Sequence, residues 1–178
     1  MTKEEQQYFL DRLVDNTDNL IKEYCLNENI KKTSIPDWSE DPIPSQEWQS
    51  VGLWWNYKPR KLYQKHFPLT TSLVEIGPTH KATGHLLLKP NSSTPKHNHK
   101  DWGNKVILHL PLIIPEGDVG FWIDGNIYRW TVGKLFSFNI TKDHQGFNNT
   151  DKNRVLLVMD FDSEIWGETL RKYMALEE

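Results

Sequence analysis

Hydrophobic residues near the start of the chain recur at helical spacing. Residues 3–26 place one such residue every three or four positions, which predicts a single amphipathic helix. Thr2 followed by Glu5 is the capping-box pattern that begins a helix. The residues that form the apolar face are Phe9, Leu13, Leu20, Ile21 and Tyr24. We expect this helix to pack against a sheet.

Polar residues and prolines interrupt the pattern between residues 30 and 50. Pro36, Pro42 and Pro44 predict an irregular, partly extended segment. Trp38 and Trp48 lie within it, and we expect them to pin it to the body of the protein. At the other end of the chain, residues 164–176 predict a short terminal helix.

From residue 51 onward, short β-rich runs alternate with turn signals. The predicted strands are residues 51–57, 73–76, 85–89, 105–114, 119–123, 127–130, 135–140 and 154–161. Asp124-Gly125-Asn126 lies between two of them and is typical of a hairpin turn. Strands without intervening helices favour a mainly β fold, a sandwich or barrel, with a jelly roll as one form.

Length and composition are those of one globular domain. The chain has 178 residues, of which 37% are hydrophobic. We therefore expect a single domain over residues 1–178, in which residues 1–50 pack on a β-barrel core formed by residues 51–163. The formal net charge of −3 and the lack of a long basic run argue against a nucleic-acid partner.

Features of secreted or membrane proteins are not evident. Cys25 is the only cysteine, so the chain cannot form an internal disulfide. The first residues lack the apolar stretch of a signal peptide, and no apolar run has the length of a membrane span. These observations predict a cytoplasmic protein; its oligomeric state is left open.

Four residues in the second half predict a metal site. His99 and Asp101 form a His-x-Asp pair, His144 follows 43 residues after Asp101, and Arg154 comes ten residues later. Two imidazoles and a carboxylate can bind one face of Fe(II) and leave three positions for a co-substrate and O2. A guanidinium pairs bidentately with a carboxylate, so Arg154 is suited to the far end of a 2-oxoacid. An Asp or Glu side chain of the protein could equally well be the partner of Arg154, which would then have a structural role.

His97 allows a different set of ligands. His97 and His99 form a His-x-His pair, and Asn148 follows His144 at the spacing of the second cupin motif. A cupin site would use all three histidines with a Glu shortly after the pair, yet residues 100–104 read Lys-Asp-Trp-Gly-Asn. The sequence thus favours His99 and Asp101, with His97 as a neighbour. The remaining histidines, His66, His80 and His85, are interpreted as ordinary surface or turn residues.

Taken in order, the motifs resemble the aspartyl/asparaginyl β-hydroxylase family of 2-oxoglutarate oxygenases, and they are also similar to bacterial proline hydroxylases. The sequences of those relatives contain the following motifs in chain order: His-Arg-Asp-aromatic, a strand with His-Ile-Pro, Phe-x-Leu-Asp-Gly, a Gly-Glu stretch with an Asn, a Pro-His, and Arg-Val-x-Leu-Val-x-Asp. This chain has His99-Lys-Asp101-Trp102, His109-Leu-Pro111, Phe121-Trp-Ile-Asp124-Gly125, Gly133 to Asn139, His144 and Arg154-Val-Leu-Leu-Val-Met-Asp160.

The resemblance implies a double-stranded β-helix with Fe(II) held by His99, Asp101 and His144. It also implies that Arg154 binds the distal carboxylate of 2-oxoglutarate, with His109 near the same co-substrate. Trp102 takes the place of an aromatic residue beside the ligand pair, and Asn139 is a further pocket candidate.

Two departures from the family pattern bear on the reaction. The Arg that precedes the strand histidine in relatives is Ile107 here, and Lys105 is the nearest substitute. Animal members have Gly at the position of Asp101, so the carboxylate here favours a three-ligand site and argues against halogenation.

The expected function is hydroxylation of a C–H bond in an amino acid, an aspartyl or asparaginyl residue, or a related small molecule, with O2 and 2-oxoglutarate consumed. Two alternatives stay open. One is a cupin-type metalloprotein that does not use 2-oxoglutarate, and the other is a non-catalytic binding domain on the same barrel.

Overall fold

Helices lie at both ends of the chain and strands between them. The computed structural model describes residues 1–30, 33–34 and 47–175. Its α-helices are α1 (Lys3–Asp15), α2 (Thr17–Leu26), α3 (Lys61–Gln64), α4 (Pro68–Val74) and α5 (Ser163–Leu170), with 3-10 turns at Lys100–Trp102 and Arg171–Tyr173. Its strands are β1 (Thr33–Ser34), β2 (Trp48–Trp55), β3 (Lys58–Pro59), β4 (Ala82–Leu88), β5 (Ser92–Ser93), β6 (Lys105–Ile113), β7 (Val119–Ile123), β8 (Asn126–Tyr128), β9 (Phe136–Asn139), β10 (His144–Asn148) and β11 (Arg154–Asp162).

The strands form two antiparallel sheets. The larger sheet has the order β1-β2-β4-β11-β6-β9, with β3 paired to β2, and the smaller has the order β5-β10-β7-β8. Helices α1 and α2 cover one face of the larger sheet, and the smaller sheet covers the other. This arrangement is the double-stranded β-helix, or jelly roll, that the sequence predicted.

Strand β11 is the centre of the larger sheet, between β4 and β6. Its side chains alternate between the two faces. Leu157 and Met159 pack with the helices, whereas Leu156 and Val158 face the smaller sheet. The fold therefore has two apolar layers that share one strand.

The predicted N-terminal helix is two helices. Its capping box is present, because Thr2 Oγ1 accepts from the Glu5 N–H and the Glu5 carboxylate accepts from the Thr2 N–H. The break occurs at Asn16, whose side-chain amide donates to the Arg12 carbonyl at 2.8 Å. The Thr17 hydroxyl donates to the Val14 carbonyl at 2.7 Å, so both polar side chains compete with the helical pattern.

Other predicted elements also need correction. The predicted strand 73–76 is wrong, since residues 68–74 form α4, which has Pro68 in its first turn. Together with α3, this helix shows that the strands are not free of intervening helices. His144 begins strand β10, which is absent from the predicted strands. The terminal helix ends at Leu170.

Several smaller predictions have their outcome here. Asp124 and Gly125 have φ of 48° and 98° between the paired residues Ile123 and Asn126, a two-residue hairpin turn as predicted. His85 is not a surface residue but is fully buried beside Tyr24 and Phe67. Residues 31–32 and 35–46 of the predicted irregular segment, with Trp38 among them, and Leu176 lie outside the described residues. Among the helices that are described, none combines the length and the apolar character needed to cross a membrane.

Candidate metal site

Three histidines meet where the segment after β5 runs beside β10. The backbone N–H of His97 donates to the His144 carbonyl at 3.1 Å, and the His144 N–H donates to the His97 carbonyl at 2.8 Å. Further along, the His99 N–H donates to the Ile140 carbonyl at 2.8 Å. These pairings place one ring nitrogen of each of the three histidines within 4.8 Å of the others.

Hydrogen bonds orient two of the rings. His97 Nδ1 lies 2.7 Å from the Pro95 carbonyl oxygen, and His144 Nδ1 lies 2.8 Å from the Lys142 carbonyl oxygen. A carbonyl oxygen only accepts, so each Nδ1 carries the proton and each Nε2 keeps its lone pair. This is the tautomer that leaves Nε2 available to a metal ion.

Burial keeps the three rings neutral. It lowers the pKa of His97, it lowers the pKa of His144 to about 4, and, helped by the two neighbouring imidazoles, it lowers the pKa of His99 to about 3. Metal ions bind the neutral form of imidazole. The cluster is therefore in the binding form at neutral pH.

Asp101 lies apart from this cluster. It is in the 3-10 turn Lys100–Trp102, and its side chain is exposed. The predicted alternation of His99 and Asp101 needs extended backbone, which ends at His99. The structure thus brings His99 and His144 together, as predicted for ligands, with His97 in the place where Asp101 was expected.

Arg154 is buried in the same region. Its side chain is 2% exposed, and none of the described residues forms a hydrogen bond or ion pair with it. Its guanidinium lies 4.9 Å from the ring centre of Trp130. Burial lowers the pKa of Arg154 to about 9, which still leaves it a cation at neutral pH. An anion is the partner that such a group lacks.

One cavity joins these groups. Its polar lining consists of the three clustered histidines, His109, Arg154 and Thr94, and its apolar lining includes Phe121, Phe138, Ile107, Leu156 and Val158. His109 is buried, and its Nδ1 has no partner among the described residues. Burial first, then the positive charge of Arg154, holds the pKa of His109 well below its usual value.

The other predicted pocket residues lie outside this lining. The Trp102 ring is 4.3 Å from the His99 ring and half-buried, which places it beside the cluster. Asn139 is exposed and accepts hydrogen bonds from Thr141. Lys105 forms an ion pair with buried Asp160 at 3.8 Å, so it does not replace the missing Arg at Ile107.

Comparison with known proteins places the chain in a family. The chain matches the family model described as aspartyl/asparaginyl beta-hydroxylase over residues 12–164. It is 30% identical over 99 residues to the ornithine lipid ester-linked acyl 2-hydroxylase of Rhizobium tropici. That match covers 54% of this chain and 35% of the relative, so it spans about a third of the relative's length.

A solved structure shares the fold. An oxidoreductase of the 2OG-Fe(II) oxygenase family from Burkholderia pseudomallei matches with a TM-score of 0.59 at 8% identity, over 88% of this chain and 89% of that one. The fold and site define a jelly-roll protein with a histidine cluster in its barrel. The chain belongs to the aspartyl/asparaginyl β-hydroxylase family.

Proposed function

We propose that this protein is an Fe(II)- and 2-oxoglutarate-dependent dioxygenase that hydroxylates a C–H bond. The observation that carries the proposal is Arg154, a buried cation without an anionic partner among the described residues, in one cavity with the histidine cluster. Burying an unpaired charge costs several kcal/mol. A dicarboxylate that binds the metal at one end and Arg154 at the other would offset that cost.

The donor set fits the metal that this reaction needs. Neutral imidazoles bind Fe(II), and three facial protein ligands leave positions open. His99 and His144 belong to both ligand sets that the sequence allows, and Asp101 stays a prediction as the third. With 2-oxoglutarate bound, the iron would activate O2 for oxidation of the substrate C–H bond, with release of succinate and CO2.

The protein's own residues would position the co-substrate and keep water away. Arg154 would donate two hydrogen bonds to the distal carboxylate, and His109 would lie beside it. Phe121 and Phe138 add apolar lining next to His109, whose ring centre lies 5.3 and 5.2 Å from theirs. The cavity volume is about 60 Å³, room for about two water molecules, so 2-oxoglutarate would either extend beyond it or displace lining side chains.

For the substrate we propose an amino acid, an aspartyl or asparaginyl residue, or a related small molecule. The family description supports this class. An acyl chain is the second candidate, because the Rhizobium relative is described as acting on the acyl group of an ornithine lipid. Succinate release measured over a panel of amino acids, short Asp and Asn peptides, and ornithine lipids separates the two.

A metalloprotein that does not use 2-oxoglutarate is the alternative function. The position of His97 within the cluster favours it, since a His-x-His pair is the cupin arrangement. In that case Arg154 has a structural role, and its replacement leaves metal chemistry intact.

Anaerobic titration with Fe(II) and then 2-oxoglutarate tests the proposal. We expect a weak visible charge-transfer band that requires both additions. The band should disappear in Arg154→Met and persist in Arg129→Met, a matched control whose guanidinium is exposed and paired with Asp118 at 2.8 Å. Iron binding with no band on addition of 2-oxoglutarate overturns the proposal and leaves the alternative.

A further inference from the structure

His97 and His144 occupy matching positions on neighbouring segments. Their backbones exchange two hydrogen bonds, and each ring donates Nδ1–H to the carbonyl of the residue two positions earlier, Pro95 or Lys142. A second hydrogen bond that fixes the ring is the usual arrangement of metal-binding histidines. By this criterion His97 is as well prepared to bind a metal as His144.

The backbone conformation after His97 determines whether His99 or Asp101 points to the same side as His97. The segment from Ser92 follows β10 and its preceding loop as far as His99, whose N–H still donates to Ile140. In extended backbone, residues 97 and 99 point to the same side. The 3-10 turn that begins at Lys100 ends this alternation and leaves Asp101 exposed.

Asn98 holds the two ligand-bearing segments together from the other side. Its side-chain amide donates to Asp143 Oδ1 at 2.7 Å, and this hydrogen bond lowers the pKa of the Asp143 carboxyl. Asn98 lies between two of the histidines, and Asp143 precedes the third. The bond therefore fixes the distance between the segments at the level of the cluster.

We infer that the metal centre of this chain is a three-histidine site formed by His97, His99 and His144, in which Asp101 takes no part. The inference rests on the proposed function for the role of the metal and names the ligands. Three neutral ligands leave the full double positive charge on the ion, whereas a carboxylate would reduce it by one.

Charge around the site agrees with an anionic co-substrate. No acidic side chain lines the cavity among the described residues, and Arg154 adds a further positive charge. A dianion with one carboxylate at each end would neutralise Arg154 and reduce the charge at the ion from two to one. Because coupling between two ligands is reciprocal, 2-oxoglutarate and the metal should each raise the affinity of the other.

Titration of the metal-free full chain with Co(II), followed by the visible absorbance of the bound ion, tests the ligand set without a turnover measurement. We expect His97→Ala and His144→Ala each to weaken Co(II) binding by more than ~100-fold, beyond the 10–100-fold typical of residues that only orient ligands. Asp101→Asn and the control His66→Ala should stay within about threefold of the wild type, since neither side chain would touch the ion.

Folding of the variants is checked separately. The thermal midpoint of each metal-free variant reports the fold, and His97→Phe replaces the ring with one of similar size if His97→Ala is unstable. Retention of Co(II) affinity in a folded His97 variant overturns the inference, as does its loss in Asp101→Asn.

The two proposals fail in different ways. If Asp101→Asn abolishes both Co(II) binding and the 2-oxoglutarate band, the three-histidine site is wrong and the dioxygenase proposal stands. If Co(II) binding depends on His97 but 2-oxoglutarate neither raises the affinity nor gives a band with Fe(II), the site stands and the dioxygenase proposal is wrong.

Discussion

The guanidinium of Arg154 lies over the ring of Trp130, 4.9 Å from its centre, and this aromatic face is the only favourable electrostatic contact that the described residues give it. A cation–π contact of this kind is worth ~2 kcal/mol when desolvated, less than the cost of burying the charge. The protein thus holds a cation ready for an anion that arrives later.

Arg154→Met should raise the stability of the free protein. Methionine fills similar space and removes an unpaired buried charge, so we expect a gain of about 1–3 kcal/mol in the free energy of unfolding, measured with urea. The variant should also lose the increase in thermal midpoint that 2-oxoglutarate gives the metal-loaded wild type. A marked loss of stability in the variant would mean that Arg154 has a structural partner.

His85→Leu should make the protein more resistant to acid. His85 is fully buried against Tyr24 and Phe67 with both ring nitrogens unpaired, and burial lowers its pKa to about 3. The unfolded chain takes up a proton below about pH 6.5, whereas the folded protein does not, so this contribution to stability is lost as the pH falls from 6.5 toward 3.

The size of this loss of stability follows from the one proton that the unfolded chain binds at His85 and the folded protein does not. Between pH 6.5 and 5.0 the wild type should lose about 2 kcal/mol more of its free energy of unfolding than the variant. Urea unfolding at pH 7.5, 6.5 and 5.0 measures the difference. If the free energy of unfolding falls equally with pH in the wild type and in His85→Leu, the folded protein must be able to protonate His85.

Asp160→Asn should destabilise the fold strongly. The Asp160 carboxylate is fully buried, accepts from the Thr79 hydroxyl and from the Ala82 N–H at 2.8 Å, and pairs with Lys105 at 3.8 Å. An amide would turn a donor toward these donors and leave the Lys105 ammonium without its counter-ion, with only the Thr79 hydroxyl, among the described residues, as an acceptor at 2.9 Å, at a cost of about 3 kcal/mol or more.

The matched control lies two residues further along the chain. Asp162 caps α5, where its carboxylate accepts from the Glu164 N–H at 2.9 Å. Asn caps helices about as well, so Asp162→Asn should change stability by a few tenths of a kcal/mol. Thermal and urea unfolding of both variants make the comparison, and equal losses would contradict the role of the buried carboxylate.

Gly84→Ala and Gly167→Ala should have opposite effects. A Cβ at residue 84 would come within 2.3 Å of the Val51 carbonyl oxygen, so β2 and β4 must separate, at a cost of ~2 kcal/mol or more. A Cβ at residue 167 meets no atom within 4 Å and lies in helix α5, where alanine gains about 0.5–1 kcal/mol. Urea unfolding gives both signs in one experiment.

Much of the sheet was predictable because apolar residues alternate or cluster along its long strands. Strand β10 was not, because His-Gln-Gly-Phe-Asn has neither alternation nor β-branched residues and is held by pairing with β7. Helix α4 was mistaken for a strand because its few apolar residues fit either period. The break at Asn16 depends on side-chain hydrogen bonds that compete with the helix.

The candidate site was predictable in part for a related reason. His97 and His99 are two residues apart in the sequence, and so are His99 and Asp101. The two candidate ligand pairs therefore differ only in their backbone conformation, which the sequence does not give. The contact of His97 with His144 brings the first pair into the cluster, and that contact is set by strand pairing at long range. The sequence did place His99, His144, His109 and Arg154 close together.

Strand β11 joins the pocket to the core. Alternate residues, Arg154, Leu156 and Val158, line the cavity, and those between them pack under the helices. Inserting one residue would exchange the two sets, so a change in the length of this strand would alter the pocket and the core together. The shape of the pocket can therefore change by substitution at residues 154, 156 and 158, which leaves the core side of the strand untouched.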